Sequence, residues 1–416
     1  MSAVFRSYLK TTLACSGLLL VASLSTTAAL LWLPTVTAAV VGFLGALVVL
    51  GAGVLTCACL LVIVRHRNDE RGKRDLFLEL NRSREPGAIE TGRLRHSGRL
   101  RRWLARLTLG NDLIVGDLVE IKSWPEIKAT LDANGCLGQL PFMPEMLRMC
   151  GQRAYVFKNA HRIFDYRKSR RMRHLHDGVL LVAAVCDGSS HGGCEAACHT
   201  IWKSAWLRRI EHDEPARVEI AAGASVSIQD IDVLQFGTRP PRFLCQLTQL
   251  QTASQPVDRW SIVNFLRPLI CGNVTASAFA VGWLTHLFNE LQHFRQGIVF
   301  PTFAGTTEHP PQDELPLQPG DRVRVRSAAE IRATLDDRFV NRGMGFEFDM
   351  LKYCGRRCQV EAEVRRLIDI VTGETRTMKT PAYRLRGTHF SGERQLFNSQ
   401  YEPLFWRSAW LRRDEA

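Results

Sequence analysis

Gly116-Asp117-Leu118-Val119-Glu120-Ile121-Lys122-Ser123 returns later in the chain as Gly320-Asp321-Arg322-Val323-Arg324-Val325-Arg326-Ser327. Further along, Glu126-Ile127-Lys128-Ala129-Thr130-Leu131-Asp132 returns as Glu330-Ile331-Arg332-Ala333-Thr334-Leu335-Asp336. Met146-Leu147 and Cys150-Gly151 return as Met350-Leu351 and Cys354-Gly355. Trp202 and Ser204-Ala205-Trp206-Leu207-Arg208-Arg209 return as Trp406 and Ser408-Ala409-Trp410-Leu411-Arg412-Arg413. Every pair lies 204 positions apart with no gap, so one module occurs twice, over 116–209 and 320–413.

Each copy opens on a Gly-Asp turn and an alternating strand, with Val323 and Val325 on one face and Arg322, Arg324 and Arg326 on the other. Short helical turns are expected around Ala328–Asp336 and Phe348–Cys354. A hairpin should follow from Gln359 to Ile370, turning at Thr372-Gly373-Glu374 and returning through Arg376–Met378. A further strand near Tyr383–Leu385 precedes the Trp-rich close. Trp202, Trp206, Trp406 and Trp410 read as core rather than as a ligand cage.

Short strands behind a Gly-Asp opening resemble small SH3-like β-barrels. The joint motif set is Gly-Asp-x-Val, Glu-Ile-x-Ala-Thr-Leu-Asp, Met-Leu-x-x-Cys-Gly and Trp-x-Ser-Ala-Trp-Leu. It resembles bacterial membrane-anchored proteins of unassigned function with duplicated modules of this kind. The resemblance covers both copies, implies a mainly β fold for each, and brings no mechanism.

Upstream, residues 11–64 contain no charged side chain. A membrane-crossing helix needs about 20 apolar residues, so this run suffices for two. Pro34 divides it into segments over about 11–33 and 36–64. The expected architecture is therefore mixed: an N-terminal transmembrane helical hairpin (1–64), then two duplicated, mainly β modules with a partly helical insert. A cleaved signal peptide is the competing reading of the first segment, and the second would still anchor the chain. Arg6 and Lys10 precede the hairpin, and Arg65, Arg67, Arg71, Lys73 and Arg74 follow it. Both flanks are basic, which places both ends in the cytoplasm and the protein in the inner (cytoplasmic) membrane as a multi-pass chain.

The linker 65–115 is strongly basic; over 65–106 it carries 13 Lys/Arg against 6 Asp/Glu, more than half of the chain's net charge of +13. Membrane lipids are the expected partner of this segment, at about 1 kcal/mol per basic residue reaching an anionic surface. Nucleic acid is disfavoured, because Phe77 and Trp103 are its only large aromatics. Hydrophobic content of 46% with 23% charged residues excludes a chain disordered throughout. Twelve Cys in 416 residues are too dilute for a disulfide scaffold. The insert 210–319 should hold an apolar, β-prone stretch at 218–228 and helices over Ile262–Ile270 and Ala276–Phe294. His286, Glu290 and His293 on one face make the second helix buried or interfacial rather than membrane-spanning. A Pro-rich linker over 308–319 leads into the second module, 320–416.

Chemistry concentrates in the first module. Cys186-Asp187-Gly188, His191-Gly192-Gly193-Cys194 and Cys198-His199 form one cluster, with Cys150 earlier in the same copy. Soft ligands in a reducing compartment suit zinc, with an iron–sulfur cluster as the alternative. The candidate ligands are Cys150, Cys186, His191, Cys194 and Cys198, with His199 able to replace a thiolate. Cys194 and Cys198, four apart, would share a face if helical. The second copy has Phe390, Asn398 and Glu402 where the first has Cys186, Cys194 and Cys198, yet keeps Cys354 for Cys150. That pattern marks the three cysteines as one device and Cys150 as its weakest member; core cysteines and a redox thiol pair remain the competing readings. No Gly-rich phosphate loop, Gly-x-Ser-x-Gly elbow or His-Glu-x-x-His helix is present. The expected function is a membrane-tethered cytoplasmic binding or assembly protein with a protein partner and a structural metal site. The alternative is a metal- or thiol-dependent membrane-associated enzyme, with His191 as acid or base.

Overall fold

A computed structural model of the chain describes residues 113–167, 171–210, 240–257, 262–296, 315–390 and 397–414, with 103, 105, 234, 305, 307 and 392. The expected membrane hairpin, nearly all of the basic linker and the 218–228 stretch lie outside these residues. Among the described residues no helix is long and apolar enough to cross a membrane.

The first module contains β1 (Leu118–Ile121), α1 (Trp124–Lys128), β2 (Cys136–Leu137), β3 (Leu140–Pro141), β4 (Arg153–Asn159), β5 (Arg162–Phe164), β6 (Met172–Leu175), β7 (Gly178–Val185), β8 (His199–Lys203) and β9 (Leu207–Arg209). The insert holds α2 (Gln246–Gln249), β10 (Ser254–Pro256), α3 (Ile262–Ile270) and α4 (Ala276–Phe294). The second module follows with β11 (Arg322–Val325), α5 (Ala328–Arg332), β12 (Val340–Asn341), β13 (Met344–Gly345), β14 (Arg357–Ile368), β15 (Thr375–His389), β16 (Pro403–Trp406) and β17 (Leu411–Arg413). Two five-stranded sheets result, ordered β8-β7-β4-β1-β9 and β16-β15-β14-β11-β17, with antiparallel neighbours. Both modules belong to one compact unit, which excludes Ala276–Val281.

The shared motifs explain why both sheets form. Gly116 and Gly320 take positive φ (93° and 99°). The following Asp117 and Asp321 each accept a hydrogen bond at 3.0 Å, from the amides of Ile114 and Gln318. Glu126 and Glu330 accept from the amides of Ser123 and Ser327 (3.0 and 2.8 Å) and so start α1 and α5. Ile127 and Ile331 are fully buried. Thr130 and Thr334 each accept the indole N–H of Trp206 or Trp410 at 3.0 Å. Asp132 and Asp336 tie the next turn through the amides of Cys136 and Val340 (2.9 and 2.8 Å). Trp202, Trp206, Trp406 and Trp410 are all buried at 0% exposure. Phe142 meets Trp206 edge-on at 5.1 Å, and Phe346 meets Trp410 at 5.3 Å.

Two local expectations need correction. The returning limb at 376–378 and the strand at 383–385 are one strand, β15, with Pro381 inside it. Its pairing with β14 slips between Val364 and Arg366, and this bulge accommodates the missing amide. Cys194 and Cys198 do not share a helix face, because the segment is irregular: Gly188, Gly192 and Gly193 take φ of 73°, 73° and 68°. Basic side chains of β6 are held by the insert. Arg173 donates to Ser254 Oγ (2.8 Å), and His174 accepts from Arg267 on α3 (2.8 Å).

The two modules dock by exchanging equivalent loops. In the first direction, the Glu195 amide donates to the Arg366 carbonyl (2.9 Å), and its carboxylate accepts from the Arg366 amide (2.9 Å). In the other, the Ser399 amide donates to the Arg162 carbonyl (2.6 Å), and its hydroxyl accepts from the Arg162 amide (3.3 Å). Glu195 and Ser399 occupy the same position in the repeat, as do Arg162 and Arg366. The contact is thus isologous within a single chain, the arrangement of a two-fold dimer.

Candidate metal centre

The loop that follows β7 begins and ends in a hydrogen bond, from the Cys186 amide to the Cys198 carbonyl (2.8 Å). Its turn depends on Gly188, where an added Cβ would lie 2.0 Å from the Cys194 carbonyl oxygen at a φ of +73°. The second copy closes the same way, Phe390 amide to Glu402 carbonyl at 2.9 Å, with Gly392 at φ +72° against Asn398. The loop is therefore a property of the fold. What differs is the side chains that it carries.

In the first module those side chains meet Glu145, presented by the 3-10 turn Pro144–Met149. One ligand atom each from Glu145, Cys186 and His191 all lie within 4.8 Å of one another. The Cys186 thiol is 3.2 Å from Glu145 Oε1 and 3.3 Å from His191 Nε2. Ser190 Oγ donates to Glu145 Oε2 (2.5 Å) and lies 3.0 Å from His191 Nδ1. The network assigns the imidazole proton to Nδ1, donated to Ser190, and turns the Nε2 lone pair toward the thiol. Glu145 and His191 are buried, at 7% and 2% exposure.

Electrostatically this is a site short of positive charge. Burial, then the Glu145 carboxylate, push the Cys186 thiol far above its ordinary range. Burial holds His191 below its usual value, although Glu145 and Asp187 pull the other way. One S–H proton is offered to two acceptors, so one of them stays unsatisfied. A divalent cation would take sulfur, nitrogen and oxygen together, the donor set zinc accepts. A buried Glu145-Cys186-His191 group can hold a metal ion.

The other predicted residues fall in two places. Cys194 and Cys198 line a cavity of about 220 Å³ beside the triad, along with His199, Cys245 and Glu402. They stand outside the 4.8 Å group. Burial raises the Cys198 thiol well above its normal range and lowers His199 to about 4. Cys150 instead packs on the module's apolar core, where burial pushes it up to about 12. Cys354 packs on the second core in the same way. Glu145 and Cys245 were invisible to the spacing argument, Glu145 being 41 residues from Cys186. The one sequence signal for Glu145 is that the second copy also has an acid there, Asp349. No known protein family and no curated protein matches the chain.

Proposed function

We propose that this chain is a membrane-tethered binding or assembly protein whose first module is organised around one zinc ion held by Glu145, Cys186 and His191. The observation carrying the metal reading is the triad itself: buried Glu145 and His191 and half-buried Cys186 gathered in one module, where the other has Asp349, Phe390 and Gln395. A carboxylate, a thiol and an imidazole suit zinc better than an iron–sulfur cluster, which is held by thiolates. The SH3-like reading draws support from each sheet's order, a meander whose last strand lies beside the first, entered through a 3-10 turn at Ser204–Trp206 or Ser408–Trp410. Such modules bind partners, and the paired arrangement suits presentation of a composite surface to a protein partner. The 11–64 hairpin would hold both modules at the cytoplasmic face of the inner membrane, with the basic linker on its lipids.

A second reading, a thiol-dependent enzyme, draws on the Cys186–His191 contact at 3.3 Å. It requires a thiolate, which burial and the neighbouring carboxylate oppose. Elemental analysis of the purified full-length chain decides between them. The zinc reading expects about one zinc per chain, lost in Cys186→Ser. A metal-free chain whose Cys186 reacts rapidly with iodoacetamide at neutral pH would favour the thiol enzyme instead.

A further inference from the structure

Beside the triad lies a cavity of about 220 Å³, walled by three separate parts of the chain. The first module supplies Met143, Ala196 and Ile201, the insert supplies Leu247, and the second module supplies Leu367, Ile368, Ile370 and Phe405. Among the described residues no Lys or Arg lines it. Its polar groups are the triad, the thiols of Cys194, Cys198 and Cys245, and a few others including Glu402. A dry apolar cavity of about 150 Å³ is already large enough to take benzene. This one is larger, and metal-binding donors stand in its wall.

We infer that the cavity is a binding site for a small apolar molecule bearing one neutral nitrogen donor, an azole of the substituted-imidazole kind, whose nitrogen takes the open position on the triad's metal. The inference rests on the zinc reading of the triad. Three protein donors leave a tetrahedral ion one position short, the pattern of sites that accept a further ligand. Charge selects the donor. A divalent ion with the Cys186 thiolate and the Glu145 carboxylate is already neutral, and His191 adds no charge. A thiolate or carboxylate ligand would bring an unbalanced negative charge into an apolar space, which is costly. A neutral azole nitrogen brings none, and its substituent meets the Ile368, Leu367 and Phe405 wall.

The test uses the full-length chain loaded with cobalt(II), whose visible spectrum reports its ligands, titrated with 4-phenylimidazole and with imidazole. The expected result is a shifted cobalt spectrum, with 4-phenylimidazole binding at least tenfold tighter than imidazole. Ala196→Phe and Leu247→Phe, which fill the cavity from different walls, should each retain cobalt while weakening 4-phenylimidazole at least tenfold. Cobalt bound with an unresponsive spectrum would mean that the fourth position is closed, by Cys194 for example; the zinc reading would stand and this inference would fall. Equal binding of the two azoles, or no effect of either filling variant that still binds cobalt, would also overturn it. A chain that takes up no cobalt removes the metal reading and this inference together.

Discussion

Cys186→Ser and Cys150→Ser are chemically the same change at two cysteines of one module, and the structure assigns them opposite consequences. Without metal, each replaces a largely buried thiol by a hydroxyl, at about 1–3 kcal/mol. With zinc at about 1,000 times its dissociation constant, binding to the folded state alone adds about 4 kcal/mol. The two modules share one compact unit, and a unit of this size moves about 1–2 °C per kcal/mol. Zinc should therefore raise the wild-type melting temperature by about 4–8 °C. Cys186→Ser should abolish most of that rise, because its sulfur lies 3.3 Å from His191 Nε2. Cys150→Ser should keep all of it, since Cys150 packs on the apolar core. Cys354→Ser, on the second core, is the matching control. Differential scanning calorimetry of the full-length chain, in chelator and then in zinc, reads all four proteins. A zinc-dependent rise that survives in Cys186→Ser, or is lost equally in Cys150→Ser, refutes the triad.

Gly188→Ala should destabilise the first module by about 1–3 kcal/mol for the left-handed conformation alone and lower its zinc content, because the new Cβ would strike the Cys194 carbonyl. Gly392→Ala should cost a similar amount and leave zinc content unchanged; thermal melts with metal analysis check both. Glu195→Ala removes the acceptor for the Arg365 and Arg366 amides, so those amides should exchange with solvent faster, with a stability loss of about 1 kcal/mol. Glu402 has its carboxyl pushed up to about 7 by burial and then by Glu347. A folded value above the unfolded one means its contribution is fully present below about pH 4.5 and is lost as pH rises through 7. Glu402→Gln should then be more stable than wild type at pH 8, by about 3 kcal/mol at most, with no such gain at pH 4. His199, lowered to about 4 by burial, works in the opposite sense: its contribution is present above about pH 6.5 and drains away as pH falls toward 4. Melts of His199→Phe across that window should show a shallower acid loss than wild type.

The parts of the fold that were legible in sequence are those where one residue does one local job. The Glu-Ile-x-Ala-Thr-Leu-Asp motif could be recognised as a repeat because each letter has its own partner, from the capped serine to the tryptophan indole. The helices over Ile262–Ile270 and Ala276–Phe294 fell where periodicity placed them. Pairings between distant segments were not legible. Pro381 lies in β15 among residues 378–381, which stand opposite Arg365 alone, a bulge that exists only once β14 and β15 have paired. At the site, Cys186 and His191 could be found because they lie only five positions apart. Glu145 and Cys245 reach the same place through folding alone. Cys150 was drawn into the ligand set by residue type, when its retention as Cys354 already matched a core role.

The exchange of Glu195 and Ser399 across the module contact has a consequence for how such a protein can change. In a symmetric dimer of separate chains, every substitution is made twice, and a group that fits one half must be tolerated in the other. Joining the halves in one chain releases that bond. Glu195 and Ser399 already differ while serving the same carbonyl and amide positions. One half can keep a loop furnished with thiols and imidazole while its twin fills the same loop with Phe390 and Asn398. The tandem chain is thus free to carry different side chains at equivalent loops of one frame, a division of labour closed to two identical subunits.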